Sequence, residues 1–461
     1  MSAAAAAEPM LAYEMDGKTV SNPYVMDTEI HEYPDTPRPA KGKAYIDPIF
    51  HTRITRVTDR VLDGYEAHKI RFMKPVYTKN DCENCDGSRI ILSCANWDWG
   101  IYDTATWKLV RYSRRREAGA GRLRSGQIEP RWDARKPNIL YYRHEAALWR
   151  YDVETDKATL VHDFAKDLGI AKAYVAGEGS PSFDCRYWAL MTDMRAKVGS
   201  FVYDMEADKI LGTRPGRGNW VSMSPSGERF VAASSSPATR GRPSDVNPTS
   251  YDRTLKNPVT LCTIGNHGDT AIDAEGNEVY VHQCANRKTN SVDWYTMHDL
   301  KTGKATKLIH MIHKTTWPNL TRNRSGIHFT GTCYATPGWV LVTMDGTGTK
   351  PACWQHQMIY LLELKANPRI IRLAYSRAAP APKVHGDHGG AAYALINRRG
   401  TRVYWGSNWN DPGSTIETYM LELPPNWYED IMGKETATRL RRKAAALLGI
   451  TVEQLVGDVE K

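Results

Sequence analysis

The chain has 461 residues, 41% hydrophobic and 25% charged, which excludes a disordered polypeptide and allows one large domain or two to three ordinary ones. No stretch approaches the roughly 18 apolar residues of a transmembrane helix, so no membrane span is expected. The net charge is +9, and residues 107–124 (WKLVRYSRRREAGAGRLR), with seven basic groups against one acid, hold most of it. That strip would attract an anionic partner. No nucleic-acid-binding motif surrounds it, so nucleic acid is not the expected partner. The 24 Tyr and 14 Trp against 7 Phe suit pleated sheets and the walls of sugar sites, and 35 Gly with 25 Pro supply many turns. An all-helical fold is therefore excluded.

In chain order, the N-terminus MSAAAAAEPM lacks the apolar core of a signal peptide. Residues 1–50 form a Pro-rich lead-in, and residues 51–60 (HTRITRVTDR) are expected to supply a closing strand. Cys82 and Cys85 form a C-x-x-C pair that no second pair answers, so a zinc ribbon is not expected. They read as structural thiols or a local disulfide.

An internal repeat follows. An aromatic-Asp turn recurs at Tyr102-Asp103, Tyr151-Asp152 and Tyr203-Asp204, with a degenerate copy at His298-Asp299, at intervals of 49, 52 and 95 residues. A second series of polar Gly turns, each followed by a β-branched and aromatic run, starts at Cys85, Ser224, Ala274 and Asn397. These read as hairpins. A period near 50 residues with about four short strands per unit is the pattern of a β-propeller. Seven units are expected, beginning near Tyr77, Glu129, Glu178, Asn219, His267, His328 and His388. The predicted fold is all-β: a seven-bladed propeller over residues 51–425, followed by a short C-terminal helical extension over 426–461.

Propeller geometry converts sequence position into site position. The blade starts and the turns between second and third strands meet around one funnel, where convergent loops on a rigid scaffold build sites. Blades five to seven bring His267, His328 and His388 there, with His385 and Cys333 nearby, a set able to share a divalent cation. The first three blades bring Tyr77, Lys79, Glu129, Arg131 and Glu178, candidates for substrate binding. Glu129 and Arg131 are also placed to pair with each other. The second-to-third-strand turn of blade two adds His144. Blade four adds a long excursion, residues 234–258, with Arg240, Arg242, Tyr251 and Arg253. A histidine, a tyrosine and arginines beside a basic strip suit β-elimination on a uronic acid. A cation neutralises the carboxylate, a base removes the C5 proton and an acid protonates the departing O4.

The stretches YTKNDCENCDGS, IEPRWD, VSMSPSG, NHGDTAIDAEGNEVYV, HFTGTCYATPGWVLV and HGGAAYALINRRGTRVYWGSNW, spread over residues 77–409, resemble the seven-bladed propeller polysaccharide lyases. That group includes ulvan lyases, oligogalacturonate lyases and rhamnose–glucuronate lyases. The resemblance implies an enzyme that cleaves an anionic oligo- or polysaccharide and leaves a 4,5-unsaturated uronate end. It implies catalytic roles for His144, Tyr251 and Arg253 or Arg240. It also implies a divalent ion (zinc, manganese or calcium) on His267, His388 and either His328 or Cys333, and a secreted or periplasmic location. The chain departs from the pattern at the third blade, which offers Tyr174 and Glu178, and at the fourth, where Trp220 stands. Two rival readings are a non-catalytic propeller that binds glycan or protein, and a glycoside hydrolase using Glu129 and Glu178.

Overall fold

The structure is a computed structural model that describes residues 24–65, 72–94, 97–113, 121–193, 196–233, 247–262, 265–286, 291–310, 326–346, 351, 353–379 and 391–457, with the backbone alone for 12–15, 18–21, 265–266, 284–286 and 291–293. Seven antiparallel sheets make the blades of a propeller. Blade one comprises Met73–Lys74, Arg89–Cys94, Trp99–Asp103 and Leu109–Ser113. Blade two comprises Arg131–Trp132, Ile139–His144, Ala147–Asp152 and Lys157–Asp163. Blade three runs from Ala173–Tyr174 to Lys209–Arg214, and blade four from Trp220–Met223 to Val259–Thr260. Blade five runs from Gly265–Ile272 to Ala305–His310, and blade six from Ile327–Thr330 to Ile370–Tyr375.

Blade seven joins the two ends of the chain. Its inner strands are Leu395–Ile396, Arg402–Ser407 and Glu417–Glu422, and its outer strands are Arg53–Arg56 and Ala44–Ile46. Leu421 sits opposite Ile54 in that sheet, so the predicted closing strand does close the ring. Closure leaves no blade unpartnered around the circle.

The recurrent aspartates explain the repeat. In blade one Asp103 Oδ1 accepts the backbone N–H groups of Ala105 and Thr106 at 3.1 and 2.8 Å. Asp152, Asp204 and Asp299 do the same in blades two, three and five. Each is an Asx turn joining the third strand to the fourth. The tyrosines beside them, Tyr102, Tyr151 and Tyr203, are buried between blades. The polar Gly turns join first to second strands, as at Ser224–Gly227, where the Gly227 N–H bonds to the Ser224 carbonyl at 2.9 Å.

The end of the ring away from the funnel is covered. Helix Lys434–Leu448 turns Ala444, Ala445 and Leu448 onto Phe183, Ile272 and Tyr334, which lie at or just beyond the far ends of inner strands. The guanidinium of Arg398 reaches from blade seven to Asp81 at 3.1 Å and to the carbonyls of Trp132 and Phe183 at 3.1 and 3.2 Å. One side chain thereby ties four blades together. Cys82 and Cys85 are separate thiols, the first of the two readings their spacing left open. Cys82 is buried in the core, and its carbonyl accepts the Trp132 indole N–H at 2.9 Å.

Candidate active site

A cavity of about 950 Å³ opens at the funnel face and receives residues from blades one, two, three, five, six and seven. Five of its non-glycine wall residues, Trp97, Glu129, Ala176, His267 and Tyr393, have left-handed backbone with φ of 48° to 60°. Such conformations cost about 1–3 kcal/mol each and persist only where the surroundings over-determine them.

The floor is a cluster of rings. The Tyr77 hydroxyl lies 2.9 Å from His267 Nδ1. The rings of Tyr77 and Tyr393 are 4.9 Å apart, and His328 stands edge-on to both at 5.3 and 4.9 Å. The imidazoles of His267 and His328 are 4.7 Å apart, and His328 Nε2 is 4.0 Å from an Asp345 carboxylate oxygen. Blade five aims its histidine by a break in register between Asn266 and Asp269, a bulge in the inner strand. Gly268 is required in that bulge, because a Cβ there would stand 2.5 Å from the Val281 carbonyl. Burial pushes the Tyr77 phenol well above its usual pKa, so it holds its proton at neutral pH.

The walls carry the charge. Lys79, fully buried, spans from Glu178 at 3.0 Å to a position 3.8 Å over the Trp220 ring. Trp220, the departure noted at blade four, is therefore the platform for a buried ammonium. Arg143 Nε donates to Glu129 at 2.9 Å, and the same carboxylate accepts the Val175 and Gly177 backbone N–H groups at 2.9 and 2.6 Å. Arg143 uses one of its five N–H donors there and lies against the Tyr174 ring at 5.7 Å. Below the rings, Lys74 donates to the Ala391 carbonyl at 2.9 Å and sits 4.5 Å from the Tyr393 ring. Burial pulls its pKa down to about 7.

Of the residues named from sequence, the cavity gathers Tyr77, Glu129, Glu178, His267 and His328, with Lys79 bonded to Glu178. The other described ones go elsewhere, and the expected pairing of Glu129 with Arg131 is not formed. Arg131 is buried beneath the wall, donating to the Pro130 and Gly179 carbonyls, and burial lowers its pKa to about 10. Glu129 bonds to Arg143 rather than to Arg131. His144 ends its strand one residue beyond Arg143, so its side chain turns to the other face of the sheet. There burial and the nearby Arg124 lower its pKa.

Tyr251 lies in the third strand of blade four, paired with Phe230 and covered by Arg214 at 4.6 Å. Arg253, in the turn after it, pairs with Glu228 at 2.9 Å and stacks on Tyr187. Antiparallel pairing puts that turn beside the first-to-second-strand turn, at the end of the blade away from the funnel. The placement of Tyr251 and Arg253 over the funnel is therefore corrected: the strand begins at Thr249, inside the stretch read as one loop. Cys333 is corrected as a metal ligand for a similar reason. It lies in the apolar core with Trp339, donates to the Trp339 carbonyl at 3.2 Å, and burial holds its thiol protonated. Arg240 and His388 lie outside the described residues, as do Arg242 and His385.

Sequence reasoning missed Arg143, Asp345 and Tyr393. The run ILYYRH carried the signal for Arg143, since strand alternation offers Arg143 and His144 to opposite faces. Asp345 follows the second strand of blade six, the same kind of position.

Two solved structures share this architecture. Oligogalacturonate lyase from Vibrio parahaemolyticus superposes with a TM-score of 0.54 at 13% identity, covering 84% of this chain and 100% of its own. An oligogalacturonate lyase in complex with manganese gives a TM-score of 0.52 at 14% identity, covering 84% and 99%. No family model matches the chain, and no curated protein matches it in sequence. At these identities the likeness establishes the propeller fold and leaves the chemistry to the site.

Proposed function

We propose that the protein is a polysaccharide lyase that cleaves a uronic-acid-containing glycan by β-elimination, leaving a 4,5-unsaturated uronate. The observation that carries this reading is the Tyr77–His267 pair, 2.9 Å apart on the floor of a cavity walled by aromatic rings and an arginine. Both solved neighbours are lyases by name, which supports the same reaction class.

The cavity accepts several sugar units, and Trp97, Tyr174 and Tyr393 provide faces for them. The unused N–H groups of Arg143 take the uronate carboxylate as a bidentate fork. With its Nδ1–H bonded to the Tyr77 oxygen, His267 has Nε2 free of its proton to accept hydrogen from C5. The C5–H electron pair forms the C4–C5 double bond as the C4–O4 bond breaks. Tyr77 gives its proton to O4, and the imidazolium returns its Nδ1 proton to the tyrosinate. Exchange with water restores the starting tautomer. Neither a nucleophile nor an activated water is consumed.

His328 and Asp345, an imidazole and a carboxylate 4.0 Å apart, would hold a divalent cation such as manganese or zinc, with His388 as the further ligand expected from sequence; His267, also expected as a ligand, serves as the base in this scheme and does not bind the ion. Such an ion would supply additional positive charge for the uronate carboxylate.

A hydrolase with Glu129 and Glu178 as its carboxylate pair is disfavoured. Glu129 already accepts three hydrogen bonds, from Arg143 and two backbone N–H groups, and Glu178 is bound to Lys79, so the protein itself engages both carboxylates. The test is a panel of polygalacturonate, ulvan, rhamnose–glucuronate and glucuronan oligomers, with and without added Mn²⁺. The expected result is rising ultraviolet absorbance from an unsaturated uronate with at least one substrate. Binding without product across the panel would replace the lyase by a glycan-binding propeller.

A further inference from the structure

Between blades four and five, behind the cavity wall rather than on it, three metal-ligating side chains converge. Cys262 lies in the link joining the two blades, while His282 and His298 stand on the second and third strands of blade five. One ligand atom from each lies within 4.8 Å of the others, the one such trio of His, Cys or carboxylate groups among the described residues.

The two strands put the histidines on one face. His282 pairs with Thr296 and His298 with Tyr280, so the imidazoles are diagonal neighbours. Their rings are 5.1 Å apart and inclined by 23°, and Tyr280 covers the other side of His282 at 4.8 Å.

The hydrogen bonding of this pair is anomalous for a core. His282 is 0% exposed, and among the described residues neither of its ring nitrogens has a hydrogen-bond partner. A buried polar group left so costs about 1–3 kcal/mol. His298 Nδ1 lies 3.4 Å from the Gly303 carbonyl, while its buried Nε2 has no partner among the described residues. A backbone carbonyl on one ring nitrogen is the usual device that orients a histidine and points its other nitrogen at a metal. Cys262 packs against the apolar cluster of Trp220, Leu261 and Leu300.

We infer that Cys262, His282 and His298 form a site for a thiophilic divalent cation, Zn²⁺ above all, that staples blade four to blade five. The donor set is one thiolate and two imidazoles, borderline-soft ligands that favour zinc over manganese or calcium. Ligand atoms in a tetrahedral zinc site lie about 3.3–3.8 Å apart, so the trio closes by roughly 1 Å, within side-chain rotation. Water or an added anion completes the fourth position. None of the three lines the large cavity, so the inference stands apart from the lyase reading.

The test uses the full chain, reduced and stripped with a chelator, then titrated with Co²⁺ as a spectroscopic stand-in for zinc. The expected result is a thiolate-to-cobalt band in the near ultraviolet, saturating at about one ion per chain and displaced by Zn²⁺. Cys262→Ser should abolish the band, His282→Gln should weaken cobalt affinity about tenfold or more, and His267→Ala should leave the band intact. If Cys262→Ser does not fold, X-ray absorption on the zinc-loaded wild type decides. One sulfur with nitrogen or oxygen neighbours upholds the site. Absence of the band in the wild type, its persistence in Cys262→Ser, or a sulfur-free zinc shell would overturn the inference.

Discussion

Replacing Tyr77 by Phe removes one oxygen and leaves the ring in place. The contacts to Tyr393 at 4.9 Å and His328 at 5.3 Å are ring contacts and survive the change. The stability cost is one hydrogen bond to His267, about 0.5–1.5 kcal/mol. The catalytic cost is larger. Burial keeps the phenol protonated, and in the proposed reaction that proton goes to O4. Loss of a general acid typically slows turnover by about 10²- to 10⁴-fold. At about 1.36 kcal/mol per decade this is roughly 2.7–5.4 kcal/mol of transition-state stabilisation, several times the folding cost. The assay is the initial rate of unsaturated-uronate absorbance at saturating substrate, beside a denaturant melt of each protein. The expected result is a large fall in kcat, a nearly unchanged KM and a small change in melt midpoint. A kcat within threefold of the wild type would refute the role of Tyr77 and the proton path with it.

Further outcomes follow from the same geometry. Arg143→Ala should lower kcat/KM about 10²-fold, and Arg143→Lys should restore little of it, because an ammonium lacks the planar fork; steady-state kinetics check both. Glu129 keeps two backbone donors in these variants, so circular dichroism should not change. Lys79→Met strands Glu178 beside an apolar wall and should destabilise the fold by about 1–3 kcal/mol, with Glu178→Gln recovering part of it in a double-mutant denaturation cycle. For Lys74, burial lowers the folded-state pKa to about 7 against 10.5 unfolded, so the folded state binds fewer protons between those values. Its contribution to stability must therefore rise with pH from about 7 towards 10 and be least favourable below 7. Unfolding free energies of wild type and Lys74→Met, measured from pH 6.5 to 9.5, should shift relative to each other in favour of the wild type as pH increases. Parallel curves would disprove the shift.

What the sequence determined by itself was the architecture. The aromatic-Asp turns and the polar Gly turns act over two to four residues, through a carboxylate capping its own backbone or a glycine closing a hairpin. Their chemistry was therefore readable in place, and their spacing gave seven blades. The pairing of residues 53–56 with the last blade was legible for the same reason, as an alternating strand next to a turn. Much of the cavity floor was legible too: Tyr77, His267 and His328 belong to blade starts, which a propeller must bring to its axis. Tertiary structure decided the rest, since it turned on which side of a strand faced which neighbour. One residue of phase separates Arg143, on the cavity wall, from His144, on the reverse face. A four-residue strand, Thr249–Asp252, carried Tyr251 and Arg253 to the far end of blade four. Burial in a neighbouring core removed Cys333 from the funnel. The Cys262–His282–His298 cluster had no local signature at all: its members come from a link and two strands, and only the pleat and pairing of blade five set the two imidazoles side by side beneath that link. Turn chemistry is short-ranged and survives in sequence, whereas convergence is a property of packed sheets.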